Sequence, residues 1–254
     1  MDKSAIPLTA FVIGASYGVG AATALALARA GFAVVVSARR AENLVRTMAT
    51  LEAADARAVP LVLDLNSQSS IECAMADAIA AFGRLDLLVN NAGGNLRKLA
   101  VDVAPADWDA LMATNLRGAF FLAQQMGRHL IADRRPGAIV NIASTHGLVG
   151  AAERSVYGIS KGALIQMTRM LAIEWAAHGI RVNAVAPGRL DTPSPSRAAR
   201  TSDPAYMDAM RARIPLNRLA TAEEVADAVC YLASPRAASI TGQTLVIDGG
   251  MTVA

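Results

Sequence analysis

The sequence predicts a Rossmann-like α/β fold, a doubly wound parallel sheet of about seven strands with helices on both faces, in a single domain spanning residues 1–254. Short apolar runs alternate with longer helical patterns along the chain, as in strand–helix–strand units. The runs are nearly all apolar, which is typical of strands buried on both faces. With 254 residues, of which 54% are hydrophobic, the chain can bury one large core.

The order of elements follows directly from these patterns. Apolar runs predict strands at 8–13, 33–37, 58–63, 86–89, 137–142, 180–185 and 244–248. Helical patterns separate them near 19–30, 41–53, 67–82, 106–132, 155–178 and 221–233. Crossovers in such sheets are right-handed, and ligands bind beyond the carboxyl ends of the strands at the point where the strand order reverses. The residues that follow each strand are therefore the candidates for a site.

A glycine-rich turn follows the first predicted strand, in the segment VIGASYGVG at residues 12–20. Glycine lets the backbone turn sharply and approach a pyrophosphate, and the N-terminus of the next helix favours that negative charge. The spacing is G-x-x-x-G-x-G and not G-x-G-x-x-G, and a turn built only for packing is the alternative. The candidate dinucleotide-binding residues here are Gly14, Ser16, Tyr17, Gly18, Val19 and Gly20.

The end of the second predicted strand, SARR at 37–40, bears on which dinucleotide would bind. An NAD enzyme usually places Asp or Glu here to hold the ribose 2′-hydroxyl. This chain has Arg39 and Arg40, whose guanidinium groups suit a 2′-phosphate. Arg39 therefore predicts NADP as the cofactor, with NAD less favoured. Two solvent-facing arginines are the alternative, and Tyr17 stands where a second basic residue would be expected.

Asp64 and Leu65 follow the third predicted strand and are further candidates for the cofactor site. A carboxylate at this position can accept a hydrogen bond from the adenine amino group. Asp64 is equally suited to cap the next helix, a role for which Asn66 and Ser67 compete. The sequence leaves both interpretations open.

One segment, residues 188–216, breaks the alternation of strands and helices. It is rich in proline and small polar residues, and it is too long for an ordinary connection. We interpret residues 189–213 as a lid over the site. A surface insertion without a role is the alternative.

Charge and composition argue against several classes of partner. The net charge is only +3 and the basic residues are scattered, so no nucleic-acid partner is expected. No apolar stretch reaches the length of a membrane span, and the first residues lack the long apolar run of a signal peptide. Cys73 and Cys230 lie in helical apolar patterns without metal-like neighbours. We therefore expect buried free thiols, no metal site, no membrane partner and a cytoplasmic protein.

Seven short motifs occur in order along the chain. They are VIGASYGVG (12–20), NNAG (90–93), NLRGAF (115–120), NIAS (141–144), YGISK (157–161), VAPGRLDT (185–192) and IDGG (247–250). Together they resemble the short-chain dehydrogenase/reductase family, and the resemblance spans essentially the whole chain. It implies an oxidoreductase that transfers hydride between a nicotinamide cofactor and a carbonyl or secondary alcohol.

The resemblance also implies roles for individual residues. The residues expected to carry the reaction are Asn115, Ser144, Tyr157 and Lys161. Asn115 would be part of a water relay, and Lys161 would also hold the nicotinamide ribose. The remaining residues expected to lie against the cofactor are Asn91, Ala92, Gly93, Tyr157, Lys161, Pro187, Gly188, Leu190 and Thr192.

The spacing of Tyr157 and Lys161 has its own chemical meaning, because residues four apart on a helix share one face. A phenol is a poor base at neutral pH, and a nearby ammonium favours its ionised form. A group tuned toward the working pH acts efficiently as an acid or base. Tyr157 would then protonate a carbonyl oxygen as hydride arrives, while Ser144 hydrogen-bonds that oxygen. The pair by itself also fits a half-exposed tyrosine beside a solvated lysine.

The substrate is a small carbonyl or alcohol compound whose identity the sequence leaves open. The candidate pocket residues are Gly94, Asn95, His146, Leu148, Arg154, Arg189 and the segment 193–213. The two arginines would favour an anionic substrate, such as a sugar acid or an acyl-carrier thioester, or would form surface ion pairs. The overall pattern resembles 3-oxoacyl-acyl-carrier-protein reductases, whereas 172–188 and 211–225 look more like gluconate 5-dehydrogenases.

Two further expectations concern assembly and function class. The predicted helices 106–132 and 155–178 carry more apolar residues than one sheet can cover, namely Ala110, Met112, Ala119, Met126, Ala163, Met167 and Met170. We expect these helices to pair across a two-fold axis in a homotetramer, as is usual in the family. A non-catalytic cofactor-sensing or regulatory protein on the same fold is the alternative to an enzyme, and the intact Ser144, Tyr157 and Lys161 argue against it.

Overall fold

The computed structural model describes residues 7–191 and 203–254, and it contains a seven-stranded, wholly parallel sheet. The strands are β1 (Thr9–Ile13), β2 (Ala33–Ala38), β3 (Ala58–Val62), β4 (Leu87–Asn90), β5 (Gly137–Ile142), β6 (Ile180–Pro187) and β7 (Thr244–Ile247). Their order in the sheet is β3-β2-β1-β4-β5-β6-β7. The prediction of a Rossmann-like parallel sheet is confirmed, and the strand order reverses between β1 and β4, where such folds bind ligands.

The helices cover both faces of this sheet. Within the described residues they are α1 (Gly18–Arg29), α2 (Val45–Ala53), α3 (Gln68–Phe82), α4 (Pro105–Met112), α5 (Gly118–Ala132), α6 (Ser155–Trp175), α7 (Pro204–Arg211) and α8 (Ala222–Ala233). One core layer packs α3, α5 and α6 against the sheet, around residues such as Phe11, Leu122 and Leu164. The other packs α1, α2 and α8 against the opposite face, around Val36 and Val229.

The largest departure from the sequence prediction lies in the stretch 106–132, which is not one helix. The chain widens into a π-helical turn at Ala113–Arg117 between α4 and α5. Such turns recur at functional sites, because they redirect a few side chains without ending the helix. Asn115 lies in the middle of this turn and is only 1% exposed.

Three smaller expectations are affected by the structure. The segment 188–216 contains a helix, α7, which its proline-rich composition did not indicate. Thr192 and much of the 189–213 stretch lie outside the described residues, so the lid stays a prediction. Both cysteines are free, but Cys73 is exposed on α3 and Cys230 is half-buried, so the expectation of buried thiols is wrong for Cys73.

None of the helices in the described ranges is both long and apolar enough to cross a membrane.

Candidate active site

The glycine turn after β1 is packed too tightly for larger residues. Gly14 has a φ of +75°, and a Cβ atom there would lie 2.8 Å from the Cα of Ala92. A Cβ atom on Gly20 would overlap the Gly14 carbonyl oxygen and lie 2.6 Å from Nδ2 of Asn91. These two glycines therefore let the turns after β1 and β4 lie directly against each other at the switch point.

Asn91 holds these two turns together. Its Nδ2 donates to the carbonyl oxygens of Ile13 at 3.2 Å and Gly14 at 2.8 Å. The side chain therefore connects β4 to the end of β1. Asn91, Ala92 and Gly93, which the family resemblance predicts against the cofactor, thus follow β4 directly beside the glycine turn.

The start of α1 suits a pyrophosphate. Tyr17 stands at the N-cap in an extended conformation, its side chain does not cap the helix, and the first turn contains no acidic residue. By contrast, α8 begins with a complete capping box, in which Thr221 and Glu224 satisfy the first N–H groups. The uncapped N–H groups of α1 and its positive dipole end are available to an anion. The segment around Ser16, Gly18 and Val19 therefore fits a dinucleotide phosphate.

The two arginines after β2 differ in their surroundings. Both are exposed, but Nε of Arg40 lies 3.3 Å from the Glu42 carboxylate. Arg39 forms no ion pair with any residue in the described part of the chain. It is therefore the better placed of the two to receive an added negative charge.

The structure answers part of the question about Asp64. Ser67 is the N-cap of α3, because its hydroxyl accepts the N–H of Ser70 at 3.2 Å. The Asp64 carboxylate instead accepts the N–H of Asn66 at 2.9 Å, which shapes the turn after β3. Leu65 is 6% exposed and packs in the core, so its backbone and not its side chain can face a cofactor.

Lys161 lies on α6, and its ammonium is buried at the carboxyl end of the sheet. The residue is 5% exposed, and Nζ donates to the carbonyl oxygen of Ile142, the last residue of β5, at 2.7 Å. A Cβ atom on Gly93 would lie 3.5 Å from Nζ. The ammonium therefore lies between the ends of β4 and β5. Burial lowers the pKa of Lys161 from 10.5 to about 8.

Asn115 connects α6 to the turn after β4. Its Oδ1 accepts the N–H of Gly94 at 2.7 Å, while Nδ2 donates to the Gly94 carbonyl at 3.1 Å and to the Ser160 hydroxyl at 3.0 Å. Ser160 in turn donates to the backbone carbonyl of Tyr157 at 2.8 Å. Both Nδ2 hydrogens are thus used within the protein. The Asn115 side chain positions the loop and the helix that carries Tyr157.

The turn after β5 brings Ser144 to the same place. Ser144 is 8% exposed, and its hydroxyl accepts the N–H of His146 at 3.2 Å. Gly147 touches α6 so closely that a Cβ atom would lie 2.7 Å from the carbonyl carbon of Lys161. The His146 ring packs edge-on against the Tyr157 ring, with 6.0 Å between the centroids. Ser144 therefore lies beside the turn of α6 that carries Tyr157 and Lys161.

The end of β6 contributes the remaining predicted cofactor residues at the carboxyl end of the sheet. Pro187 pairs with Ile247 of β7, the N–H of Gly188 donates to the Ile247 carbonyl at 2.9 Å, and Leu190 forms an isolated bridge with Ala220. Pro187, Gly188 and Leu190, which the family resemblance predicts against the cofactor, are thus held at and just beyond the carboxyl end of β6.

Several of the predicted pocket residues form contacts among the surrounding loops. Nη1 of Arg154 donates to Oδ1 of Asn95 at 2.5 Å, which connects the loops after β4 and β5. Arg97 pairs with Glu153 between the same two loops. Nη1 of Arg189 donates to the hydroxyl of Tyr206 on α7 at 2.8 Å.

Sequence reasoning missed three residues that this geometry uses. Ser160 links Asn115 to Tyr157, Gly147 allows the close approach of the β5 turn to α6, and Tyr206 contacts Arg189. A signal existed for Ser160, since it follows Tyr157 by three residues and therefore lies on the same face of the helix. No local pattern connects Tyr206 with Arg189.

Comparison with known proteins identifies the family. A family model described as enoyl-(acyl carrier protein) reductase matches residues 14–252, which is nearly the whole chain. The chain belongs to the short-chain dehydrogenase/reductase family. This short-chain dehydrogenase/reductase is 36% identical over 246 residues to the 3-oxoacyl-[acyl-carrier-protein] reductase of Thermotoga maritima, with 95% of this chain and 96% of that protein covered.

Two further relatives show the range of the family around this chain. It is 41% identical over 256 residues to the cis-4-hydroxycyclohexanecarboxylate dehydrogenase of Sinomonas cyclohexanicum, and 99% of each chain is covered. A solved structure of a gluconate 5-dehydrogenase from Burkholderia cenocepacia J2315, in complex with NADP and tartrate, has a TM-score of 0.90 and 33% identity, with 97% of this chain and 96% of that chain covered. This short-chain dehydrogenase/reductase is accordingly an NAD(P)-dependent oxidoreductase.

Proposed function

We propose that this enzyme transfers hydride between NADP(H) and a carbonyl or secondary alcohol, with Tyr157 as general acid and base. The observation that carries the proposal is that Ser144, Tyr157 and the buried Lys161 lie close together at the carboxyl end of the sheet. A glycine turn that fits a dinucleotide lies beside them. A non-catalytic sensor would need none of these three side chains in this arrangement.

The residues divide the proton chemistry among them. In reduction, the Tyr157 hydroxyl donates its proton to the substrate oxygen, and in oxidation it takes the hydroxyl proton. The Ser144 hydroxyl, on the adjacent turn, donates a hydrogen bond to the same oxygen as charge develops on it. Pro187 and Gly188 would hold a nicotinamide here, and the cofactor would supply or accept the hydride.

Lys161 supports this proton transfer electrostatically. One Nζ hydrogen is donated to the Ile142 carbonyl, which leaves two hydrogens to donate toward the cofactor ribose and toward Tyr157. With a pKa of about 8, the ammonium is still mostly protonated at pH 7. A positive charge in a buried position favours the phenolate form of a neighbouring tyrosine more strongly than it would in water.

Asn115 and Ser160 act by positioning. Asn115 fixes Gly94 and Ser160, and Ser160 fixes the Tyr157 backbone. The water relay that the family resemblance implies for Asn115 would then run past this residue and not through its amide hydrogens, both of which are already donated within the protein.

The Tyr157→Phe variant tests the assignment of the acid and base. Removing the hydroxyl should reduce turnover of any accepted ketone by about 100-fold or more, the range typical for a general acid, while binding of NADPH persists. Tyr231→Phe is the matched control, because Tyr231 lies on α8 away from the site. Turnover that survived in Tyr157→Phe would refute the assignment, and a wild type inactive on a broad ketone panel would favour the sensor.

NADP is the proposed cofactor, with NAD less favoured. The support is an exposed Arg39 without a carboxylate partner in the described part of the chain, at the end of β2 where an acidic residue would select NAD. A gluconate 5-dehydrogenase of similar fold was solved with NADP, which is compatible with this choice.

The Arg39→Ala variant tests this choice. It should weaken the binding of NADPH by about 10-fold or more, as expected for loss of a charge-assisted bond, and leave the binding of NADH nearly unchanged. The control is Arg40→Ala, since Arg40 already pairs with Glu42. An equal loss for both cofactors would contradict the role of Arg39.

The two proposed substrate classes are a 3-oxoacyl thioester and a keto-sugar acid. Relatives of both kinds occur, since one is named for a 3-oxoacyl carrier-protein substrate and two are named for hydroxy acids. A panel of acetoacetyl thioesters, keto-sugar acids, quinones and simple ketones, followed by NADPH absorbance, would order these classes.

We also propose a homotetramer in the cytoplasm, in which α5 and α6 pair with their counterparts across a two-fold axis. The support is an apolar groove between α4, α5 and α6, lined by Met112, Leu116, Phe120, Ala163, Met167 and Met170. Ala119 and Met126, which the sequence prediction included, do not line this groove. Met170→Glu should yield a smaller species in light scattering after size exclusion, and an unchanged mass would contradict this interface.

A further inference from the structure

We infer that Arg189 binds a carboxylate of the substrate, so that the reacting carbonyl or alcohol belongs to a small molecule that also carries an acid group. The inference rests on the proposed hydride transfer and adds the charge class of its substrate. It is carried by the position of Arg189, by the groups that contact it and by the absence of an acidic partner among the described residues.

The position of Arg189 follows from strand register. Ile142 of β5 pairs with Val185 of β6, and the N–H of Ala143 donates to the Val185 carbonyl at 2.7 Å. Ser144 and Pro187 therefore leave the sheet at the same level on adjacent strands, about 4.8 Å apart. Arg189 follows two residues later, in a bend just beyond the end of β6. Arg189 and Ser144 therefore lie beyond the carboxyl ends of adjacent strands.

The contacts of Arg189 orient the guanidinium without neutralising it. Nη1 donates to the Tyr206 hydroxyl at 2.8 Å, and Cζ lies 5.3 Å from the centroid of the same ring. A phenol is neutral, so the half-buried cation keeps its full charge. The remaining N–H groups of its planar fork are suited to a carboxylate, which accepts two parallel hydrogen bonds from such a group.

Two arginines of the same region are paired with acids, whereas Arg189 is paired with no acid of the described residues. Arg211 on α7 contacts Asp208, and Arg218 contacts Glu224. No Asp or Glu of the described residues lies within ion-pair distance of Arg189, and the sequence of the undescribed stretch 192–202 contains neither. A partly desolvated cation without an acid partner is unfavourable alone and is best satisfied by an anionic ligand.

The register of β5 and β6 favours a carboxylate on the reacting molecule over the phosphate of an acyl carrier. In a carrier-bound thioester, a long flexible arm separates the phosphate from the reacting carbonyl. Arg189 instead follows the strand next to the one that carries Ser144, which would hold that carbonyl. A compact keto acid, with its acid group a few bonds from the ketone, suits groups held beyond the ends of adjacent strands.

Binding to the NADP⁺-saturated enzyme tests the inference independently of turnover. The probes are cyclohexanecarboxylate and its uncharged counterpart cyclohexanecarboxamide, titrated by calorimetry at the same salt concentration. The wild type should bind the acid about 10-fold or more tightly than the amide, as expected for a hydrogen-bonded ion pair. Arg189→Gln should reduce this preference to about twofold or less. Arg211→Gln, which removes a paired charge from the same region, should leave it unchanged.

Turnover gives the second measurement, with 4-oxocyclohexanecarboxylate and its carboxamide as ketones. Arg189→Gln should lower kcat/KM about 10-fold or more for the acid, chiefly through KM, and change it little for the amide. Tyr157→Phe should lose turnover of both ketones yet keep the binding preference for cyclohexanecarboxylate. A failure of the proposed function would thus spare the binding result, whereas a failure of this inference would spare turnover of the amide.

Three results would overturn the carboxylate assignment. They are a wild type that does not bind the acid, a wild type that binds acid and amide equally, and a preference that persists in Arg189→Gln. If Arg189→Gln does not fold, Arg189→Lys keeps the charge and loses the planar fork. It should retain a weakened preference for the acid, and a preference as large as that of the wild type would show that the fork and Tyr206 play no part.

Discussion

Replacing Lys161 with Met should stabilise the cofactor-free protein at neutral pH while abolishing turnover. The ammonium is buried among the ends of β4, β5 and α6, and this burial lowers its pKa from 10.5 to about 8. Proteins commonly hold groups at their active sites that are unfavourable for folding, because the chemistry requires them. Lys161 is such a group, and its effect on stability can be calculated.

The magnitude follows from the difference between the folded and unfolded pKa values. At about 1.4 kcal/mol per pH unit, the change from 10.5 to about 8 destabilises the folded protein by about 3 kcal/mol at pH 7, where both states are protonated. Losing the hydrogen bond to the Ile142 carbonyl offsets about 1 kcal/mol of the gain. Lys161→Met should therefore be more stable than the wild type by about 2 kcal/mol at pH 7.

The sign of the pH dependence is distinctive. The folded protein releases the Lys161 proton as the pH rises through about 8, whereas the unfolded chain holds it up to 10.5. The destabilisation is complete below pH 8 and is relieved between pH 8 and 10.5. At pH 9.5 the cost has fallen by about 2 kcal/mol, so the advantage of Lys161→Met should be close to zero.

Equilibrium unfolding in urea, followed by circular dichroism at pH 7 and 9.5 and at one protein concentration, measures both quantities. Lys98→Met is the control for loss of a lysine, because the Lys98 ammonium reaches solvent beside Asp107, and it should not reproduce the trend. A destabilising role of the buried ammonium would be refuted if Lys161→Met were no more stable than the wild type at pH 7, or if its advantage did not change with pH.

Three further variants probe other parts of the structure. Gly20→Ala should abolish NADPH binding, measured by fluorescence, because its Cβ would overlap the Gly14 carbonyl. Asn141→Ala should lower the free energy of unfolding in urea by about 1–3 kcal/mol, since Asn141 bridges its neighbours Asn90 and Thr168 in the core; no loss would exclude this role. Glu224→Gln should lower the free energy of unfolding at pH 7 by less than about 1 kcal/mol, seen as a slightly lower Tm. The hydrogen bond from Arg218 is the chief cause that lowers the Glu224 pKa to about 2, so this difference should shrink as the pH falls from 4.5 toward 2.

Local sequence patterns predicted much of the fold and the glycine turn. Strands such as β2 and β6 are short apolar runs whose burial on both faces leaves a signal at nearly every position. Gly14 and Gly20 were recognisable because only glycine permits the turn, and that constraint lies within a few residues of chain.

Other features had a local signal that was ambiguous. Asp64, Asn66 and Ser67 are all good N-cap residues, and only the path of the backbone shows that Ser67 caps α3. The π-helical turn at Ala113–Arg117 has the composition of an ordinary helix. It is stabilised by the bonds from Asn115 to Gly94 and Ser160, two partners that lie 21 and 45 residues away.

By itself, the sequence determined the class of fold, the glycine turn, the succession of strands and helices along the chain and the residue types available for proton transfer, because these depend on periodicity and spacing within single elements. The tertiary structure decided which of these residues meet. It placed the Lys161 ammonium on the Ile142 carbonyl, Asn115 on Gly94, and Arg189 on Tyr206. Each of these contacts joins residues on different elements, so it depends on how the helices pack on the sheet, which no local spacing encodes.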